Sequence, residues 1–411
     1  MTAAECIHCR SCGAKSTLRI LDLGMQPLAN NLLRPGDLPE DEPRFPLHLF
    51  VCPQCWLIQI ADLVQPVKLF TEYLYFSSFS DSMLAHAKAA AERHAKEFGL
   101  GQQSRVVEIA SNDGYLLQNF VRLGVPCFGI EPAANVARIA QEKGIETVVE
   151  FFDEALGRRL SAEGRAADLI LGNNVFAHVP DINGITAGLR NLLKPQGRVV
   201  LEFPYAVDML DKNEFDTIYH EHVFYFTLTA LIPLFERHGL TVYRVDRLPI
   251  HGGSLRLYAC HAGSYPIESS VENLLAEEAS RQVACWEFYE GFAARVEQLK
   301  ENLNRLVKDL NRQGKTVAAY GASAKGSTLL NFVGLNHKDI QFVADRSSYK
   351  QGRLTPGTYI PIVAAEELAR RIPSHTLLLT WNFATEIMAQ QDTYRKAGGK
   401  FIIPIPQLAV L

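Results

Sequence analysis

The stretch Val106-Val107-Glu108-Ile109-Ala110-Ser111-Asn112-Asp113-Gly114-Tyr115-Leu116-Leu117 constrains the fold of this chain more than any other. A short apolar run breaks into small residues and turns helical at Tyr115, the pattern of a buried parallel strand feeding a tight turn and a helix. Small residues in the turn let a ligand lie against backbone. A second apolar run, Pro126–Ile130, ends in Glu131 about 20 residues downstream, where the first βαβ unit of a doubly wound sheet sets an acid beside a ribose diol. A third, Asp168–Asn173, brings Asn173 to the same crevice. The turn is not GxGxxG, which disfavours a dinucleotide, and the acid Glu108 just before it suits S-adenosylmethionine better. The expected cofactor set is therefore Glu108, Ala110, Asn112, Gly114, Glu131 and Asn173.

At 411 residues the chain needs two or three cores rather than one. Its 47% hydrophobic and 21% charged residues are ordinary for a globular protein, and the formal charge of -4 gives no polybasic footprint. Nucleic acid and anionic membrane are thereby disfavoured as partners. Met1–Glu5 has neither a basic nor an apolar signal segment, and no run reaches the roughly 20 apolar residues of a membrane span. A cytoplasmic protein is expected, acting as a monomer.

Five of the eight cysteines fall in the first 55 residues. Cytoplasmic thiols stay reduced, so Cys9-Arg10-Ser11-Cys12 and Cys52-Pro53-Gln54-Cys55 read as two knuckles sharing one structural Zn²⁺. Cys6/Cys9 is an alternative register; Gly13 directly after Cys12 favours Cys9/Cys12. Cys127, Cys260 and Cys285 read as buried small hydrophobes. The rest of the first segment is rich in turn formers and short of periodic elements, so it is expected to depend on its metal to fold. On this view zinc removal unsettles the first domain before it reaches any chemistry.

The overall expectation is a multidomain α/β chain: a zinc-binding domain over 1–75, a Rossmann-like methyltransferase domain over 76–265, and a long helix with a C-terminal Rossmann-like domain over 266–411. Residues 271–311 read as helical. Within them Phe292, Val296, Leu299, Leu303, Leu306 and Leu310 form an apolar seam packed between domains. A second strand–turn–helix opening follows at Thr316–Tyr320 and Gly321-Ala322-Ser323-Ala324-Lys325-Gly326. It resembles a P-loop only loosely, because the lysine precedes the second glycine, yet its amides and Lys325 can hold an anion.

Tyr219-His220-Glu221-His222 is the best catalytic candidate. Two histidines on an irregular loop with no third ligand make a poor metal site, whereas a histidine near neutral pKa with an orienting glutamate can remove a proton beside a carbonyl. His178 lies past the third strand and is expected to position substrate. Tyr73 and Tyr75 could be either core residues or hydroxyl donors.

Together these motifs resemble the sugar C-methyltransferases that act on nucleotide-linked 4-ketohexoses in deoxysugar biosynthesis. The resemblance spans the chain. It rests on Cys9-Arg10-x-Cys12-Gly13, Pro27-Leu28-Ala29-Asn30 and Cys52-Pro53-x-Cys55, then on Glu108-Ile109-x-Ser111-Asn112-Asp113-Gly114 and His178-Val179-Pro180-Asp181. Glu202-Phe203-Pro204-Tyr205, the Tyr219–His222 motif, His251-Gly252-Gly253-Ser254-Leu255-Arg256 and Gly321-Ala322-x-Ala324-Lys325-Gly326 complete it. Ala110 departs from the family, which commonly has glycine there. The resemblance implies methylation at C-3 of a nucleotide-linked, dTDP-type 4-keto-deoxyhexose, with His222 as base. Glu221 would orient it or bind substrate. Tyr219, His178 and Tyr73 or Tyr75 would hold the hexose and its enolate oxygen. His220, Ser323, Lys325 and Arg256 are the further substrate contacts, the last two facing the diphosphate between the middle and terminal domains. The competing readings are an RNA-modifying methyltransferase and a non-catalytic nucleotide-sugar scaffold.

Overall fold

A computed structural model describes residues 7–37, 42–61, 64, 78 and 81–411. Cys6, Tyr73 and Tyr75 lie outside the described residues. The zinc segment carries β1 (Leu18–Pro27), β2 (Arg44–Val51) and β3 (Ile58–Ile60), paired antiparallel in that order. It is not core-poor, as its turn formers suggested: Leu21, Leu23, Leu47, Leu49, Val51, Ile58 and Ile60 are buried. Two register shifts in the β1–β2 pair, at Arg19/Leu21 and Asp22/Met25, break the two-residue alternation that marks a strand in sequence.

The middle sheet has parallel strands β4 (Val106–Ile109), β5 (Cys127–Ile130), β6 (Thr147–Val148), β7 (Ala167–Asn173) and β8 (Leu193–Pro204). The short strand β9 (Phe224–Tyr225) leaves this sheet and becomes the fourth strand of the zinc sheet, pairing Ile58 with Tyr225 and Gln59 with Phe224. The chain returns in β10 (Leu240–Leu248) and β11 (Ser254–His261), giving the order β10-β11-β8-β7-β4-β5-β6 with β10 and β11 antiparallel. The order reverses between β4 and β7, the crevice where open α/β sheets bind ligands.

Two helices, Ser269–Ser280 and Phe292–Arg312, replace the single helical stretch expected over 271–311. Left-handed residues Gln282 and Gly291 interrupt it. The seam is as expected except that Val307, not Leu306, is buried, which restores the step of four then three from Leu303 to Leu310. Glu278, fully buried, closes the first helix onto another: it accepts from Tyr205 Oη and from the Leu228 and Thr229 amides, each at 2.7 Å. It thereby caps the start of Leu228–Arg237 from a distance of 50 residues in sequence.

The last sheet holds β12 (Val317–Tyr320), β13 (Val343–Asp345), β14 (Ile362–Ala364), β15 (His375–Leu378), β16 (Lys400–Ile403) and β17 (Ala409–Val410). Its order is β14-β13-β12-β15-β16-β17, parallel but for β17. One continuous cluster of buried residues runs from the zinc sheet through the middle sheet into this one. Among the described residues no helix is long and apolar enough to cross a membrane.

Candidate active site

The turn after β4 has the backbone its composition implies. Ala110, Asn112 and Gly114 all have positive φ, at 53°, 50° and 77°. A Cβ at Gly114 would overlap Ile145 Cδ1, so glycine is required there on two grounds. Glu131 directly follows β5 and reaches back beneath the turn, its two oxygens accepting from Asn112 N at 3.0 Å and Ala133 N at 2.9 Å. Each oxygen retains a lone pair for a second donor. Glu108 is wholly buried; burial first, then the neighbouring Glu131 and Asp113 charges, push its carboxyl well above the usual carboxylate range. Its Oε2 has no hydrogen-bond partner among the described residues. Asn173 ends β7 beside Glu202 of β8, half-buried at the same crevice.

Residues 214–226 form the second part of the site. His222 Nδ1 lies 2.8 Å from the Thr217 carbonyl, an acceptor only, so Nδ1 carries the proton and Nε2 the lone pair. Tyr219 Oη donates to that Nε2 at 2.8 Å. Of the two roles expected for Glu221, orienting the imidazole or binding substrate, the first falls to the Thr217 carbonyl, on a residue without a motif signature. His178 meets His222 edge-on, with ring centroids 4.7 Å apart. Burial pushes the His178 pKa down to about 4, so it is neutral near pH 7 and adds no like charge when His222 takes a proton. The loops are joined by the Ala177 carbonyl, which accepts from Val223 N at 2.8 Å. Tyr219, His222 and His178 are half-buried, within reach of a ligand.

The two central residues of the motif contact the zinc domain. His220 is buried against the zinc sheet, its Nε2 3.1 Å from the Pro46 carbonyl and its ring edge-on to Phe45. It is therefore a contact to the zinc sheet, not the substrate contact expected. Glu221 is also buried and accepts from Asn30 Nδ2 at 2.7 Å. The C-terminal domain grips the same loop: Trp381 Nε1 donates to Asp216 at 2.7 Å and Thr328 Oγ1 to the Ile218 carbonyl at 3.2 Å.

Of the two expected phosphate partners, one is placed elsewhere and the other already has neighbours. Arg256 is 3% exposed and bound to Glu202 within the middle sheet, Nη2 to Oε1 at 2.6 Å, with His86 against the other Glu202 oxygen. A buried guanidinium already paired cannot meet a diphosphate in the cleft. Lys325 stacks over Trp381 at 4.9 Å and faces the buried acids Glu214 and Asp216, whose carboxyls its charge holds down against the larger effect of burial. The lysine expected to meet an anion thus has two buried acids beside it. Ser323 caps the helix Ala324–Val333 through Gly326 N. Asp345, which no sequence motif marks, stands at the end of β13 much as Glu131 stands just past β5: it accepts from Ala322 N at 2.7 Å and Ser347 N at 2.8 Å, beneath a turn whose Gly321 has φ 89°.

Cys9, Cys12, Cys52 and Cys55 converge with all four sulfurs within 4.8 Å of one another. Cys9–Cys55 and Cys12–Cys52 are 3.5 and 3.6 Å apart, close to the spacing of about 3.8 Å set by a tetrahedral Zn–S length of about 2.3 Å.

Comparison with known proteins agrees with this architecture. A zinc-binding domain family matches residues 9–70, a methyltransferase domain family residues 83–245, and the C-methyltransferase C-terminal domain family residues 249–406. The C-methyltransferase NovU of Streptomyces niveus is 39% identical over 98% of this chain and 96% of its own length. The chain belongs to this zinc-containing C-methyltransferase family. A ubiquinone biosynthesis O-methyltransferase of Rhodopseudomonas palustris is 27% identical over 27% of this chain and 44% of its own. A solved magnesium protoporphyrin IX methyltransferase of Synechocystis with bound SAH has a TM-score of 0.35 at 14% identity, covering 44% of this chain and 83% of its own.

The enzyme thus uses S-adenosylmethionine as methyl donor and carries zinc. The residues present fit both: four converging thiols for the metal, and for the donor a turn backed by Glu131 and by the unpartnered Glu108 oxygen. The enzyme holds Ala110 in a left-handed conformation that costs an L-residue about 1 kcal/mol. Ala110→Gly is expected to raise stability by at most about 0.5 kcal/mol, net of glycine's entropy, without weakening S-adenosylmethionine binding. Thermal melts and calorimetry check it; a lower melting temperature would show that the alanine methyl packs productively.

Proposed function

We propose that the enzyme methylates C-3 of a nucleotide-linked 4-keto-deoxyhexose, with His222 removing the C-3 proton. The observation that carries this reading is the Thr217–His222–Tyr219 chain, in which the neutral ring holds its proton on Nδ1 and its lone pair on Nε2 beside a phenol. The C-4 ketone acidifies the adjacent C–H; His222 Nε2 takes the proton, and the enolate carbon becomes the nucleophile. S-adenosylmethionine, when bound, supplies an electrophilic methyl. Tyr219 Oη turns from Nε2 to the ketone as substrate enters, freeing the base and donating to the oxygen where charge develops. His178 packs the imidazole in place, and Glu221 accepts a sugar hydroxyl. Tyr73 or Tyr75 completes the hexose site. The nucleotide belongs at the Gly321–Gly326 turn, where Ser323 caps the helix and Asp345 repeats the arrangement of Glu131.

A solvent-exchange experiment tests the reaction. With substrate deuterated at C-3 and no methyl donor, the label is expected to wash into water. The C-4 ketone acidifies C-5 equally, so substrate labelled there is the control. Retention at C-3 with loss at C-5 moves the reacting carbon, and retention at both with intact turnover removes the enolate.

A further inference from the structure

We propose that Asn30, contributed by the zinc domain, is a positioning residue that holds Glu221 in register with the hexose. This rests on the reading that Glu221 binds the sugar. Asn30 follows β1 and takes no part in the four-cysteine cluster, yet its Nδ2 reaches Glu221 Oε1 at 2.7 Å across 191 residues of sequence. Glu221 is 4% exposed, whereas Asn30 is exposed, so packing does not account for where the amide sits. Its backbone is pinned on both sides. Pro27 ends β1, Asn31 N and Leu32 N bond the Leu28 and Asn30 carbonyls at 3.1 and 2.9 Å, and Leu33 exchanges backbone bonds with Leu354 of the C-terminal domain.

Among the described residues Glu221 Oε2 has no hydrogen-bond partner, so the carboxylate is anchored through one oxygen and offers the other. Burial pushes its pKa up to about 7, and the Asn30 amide opposes that rise by donating to the ionised form. Of the titratable groups in the adjoining loops, Tyr219, His222 and His178 contact one another, and His220 points to Pro46. Among the described residues Asn30 is the polar neighbour that anchors Glu221, and it works against the effect of burial on that carboxyl.

The test is a double-mutant cycle in the full-length, zinc-loaded enzyme: Asn30→Ala, Glu221→Gln and the pair, each assayed across pH with zinc content and S-adenosylmethionine affinity measured alongside. Asn30→Ala is expected to lower kcat/KM about 10- to 100-fold. Zinc content and cofactor affinity should be unchanged, and the rising limb of the pH profile should move to higher pH. Added to Glu221→Gln it should cost almost nothing further. Wild-type rates for Asn30→Ala beside an impaired Glu221→Gln would overturn the inference while leaving the role of Glu221 intact. Additive losses would also overturn it, by showing that Asn30 acts without Glu221. A fully active Glu221→Gln would overturn the underlying reading, and the inference with it.

Discussion

Replacing His222 with alanine is expected to lower methyl transfer about a thousandfold while leaving S-adenosylmethionine affinity within about twofold. The separation follows from geometry. The residues proposed to hold the donor lie at the C-terminal ends of β4, β5 and β7, whereas His222 sits on the loop before β9 and is tied to Thr217, Tyr219 and His178. Loss of the imidazole leaves the Tyr219 hydroxyl without its acceptor and the C–H without a base. Wash-out of the C-3 label should disappear with turnover, because both require the same proton transfer. Single-turnover rates and calorimetric titration check the two halves. An alanine variant that still exchanges the label would place the base elsewhere, and Tyr219→Phe would be the next substitution to examine.

Zinc removal is expected to lower methyl transfer by about 100-fold or more, in step with the metal lost, while cofactor binding persists. This reverses what the sequence alone suggested, that a metal-stapled module would loosen first and chemistry later. The reason is β9: the strand directly after His222 is hydrogen-bonded to β3, which follows the second cysteine pair by three residues. Ile60 N also holds the Val223 carbonyl at 3.0 Å, and Asn183 Nδ2 bonds the Arg10 carbonyl between the first pair at 2.8 Å. Releasing the knuckles therefore releases the loop that carries the proposed base, and a shift of about 1 Å there is costly. Titrating a chelator while following zinc release and activity checks the coupling. Full turnover by metal-free protein would sink it.

What could be read in advance was chiefly local. Glu108 to Leu117 announced a strand, a ligand turn and a helix within one short window, and the left-handed residues are where the small side chains stand. The cysteine pairs announced a tetrahedral cluster for the same reason, since two CxxC segments each present two thiolates in a fixed geometry. β1 and β2 were missed because their register shifts scramble the alternation. The buried salt bridge of Arg256 was missed because nothing near it in sequence shows that Glu202 lies opposite on the neighbouring strand.

The Tyr219–His222 segment marks the division most clearly. Its residue types, a base, an acid and a phenol in four positions, were fixed by sequence, as were the donor turn and the metal ligands. What each of the four touches depended on a strand that crosses from one sheet to another, bringing Tyr219 and His222 to His178, His220 to Pro46 and Glu221 to Asn30. Such contacts join residues more than 170 positions apart, and only the packing of the three sheets on one core brings them together.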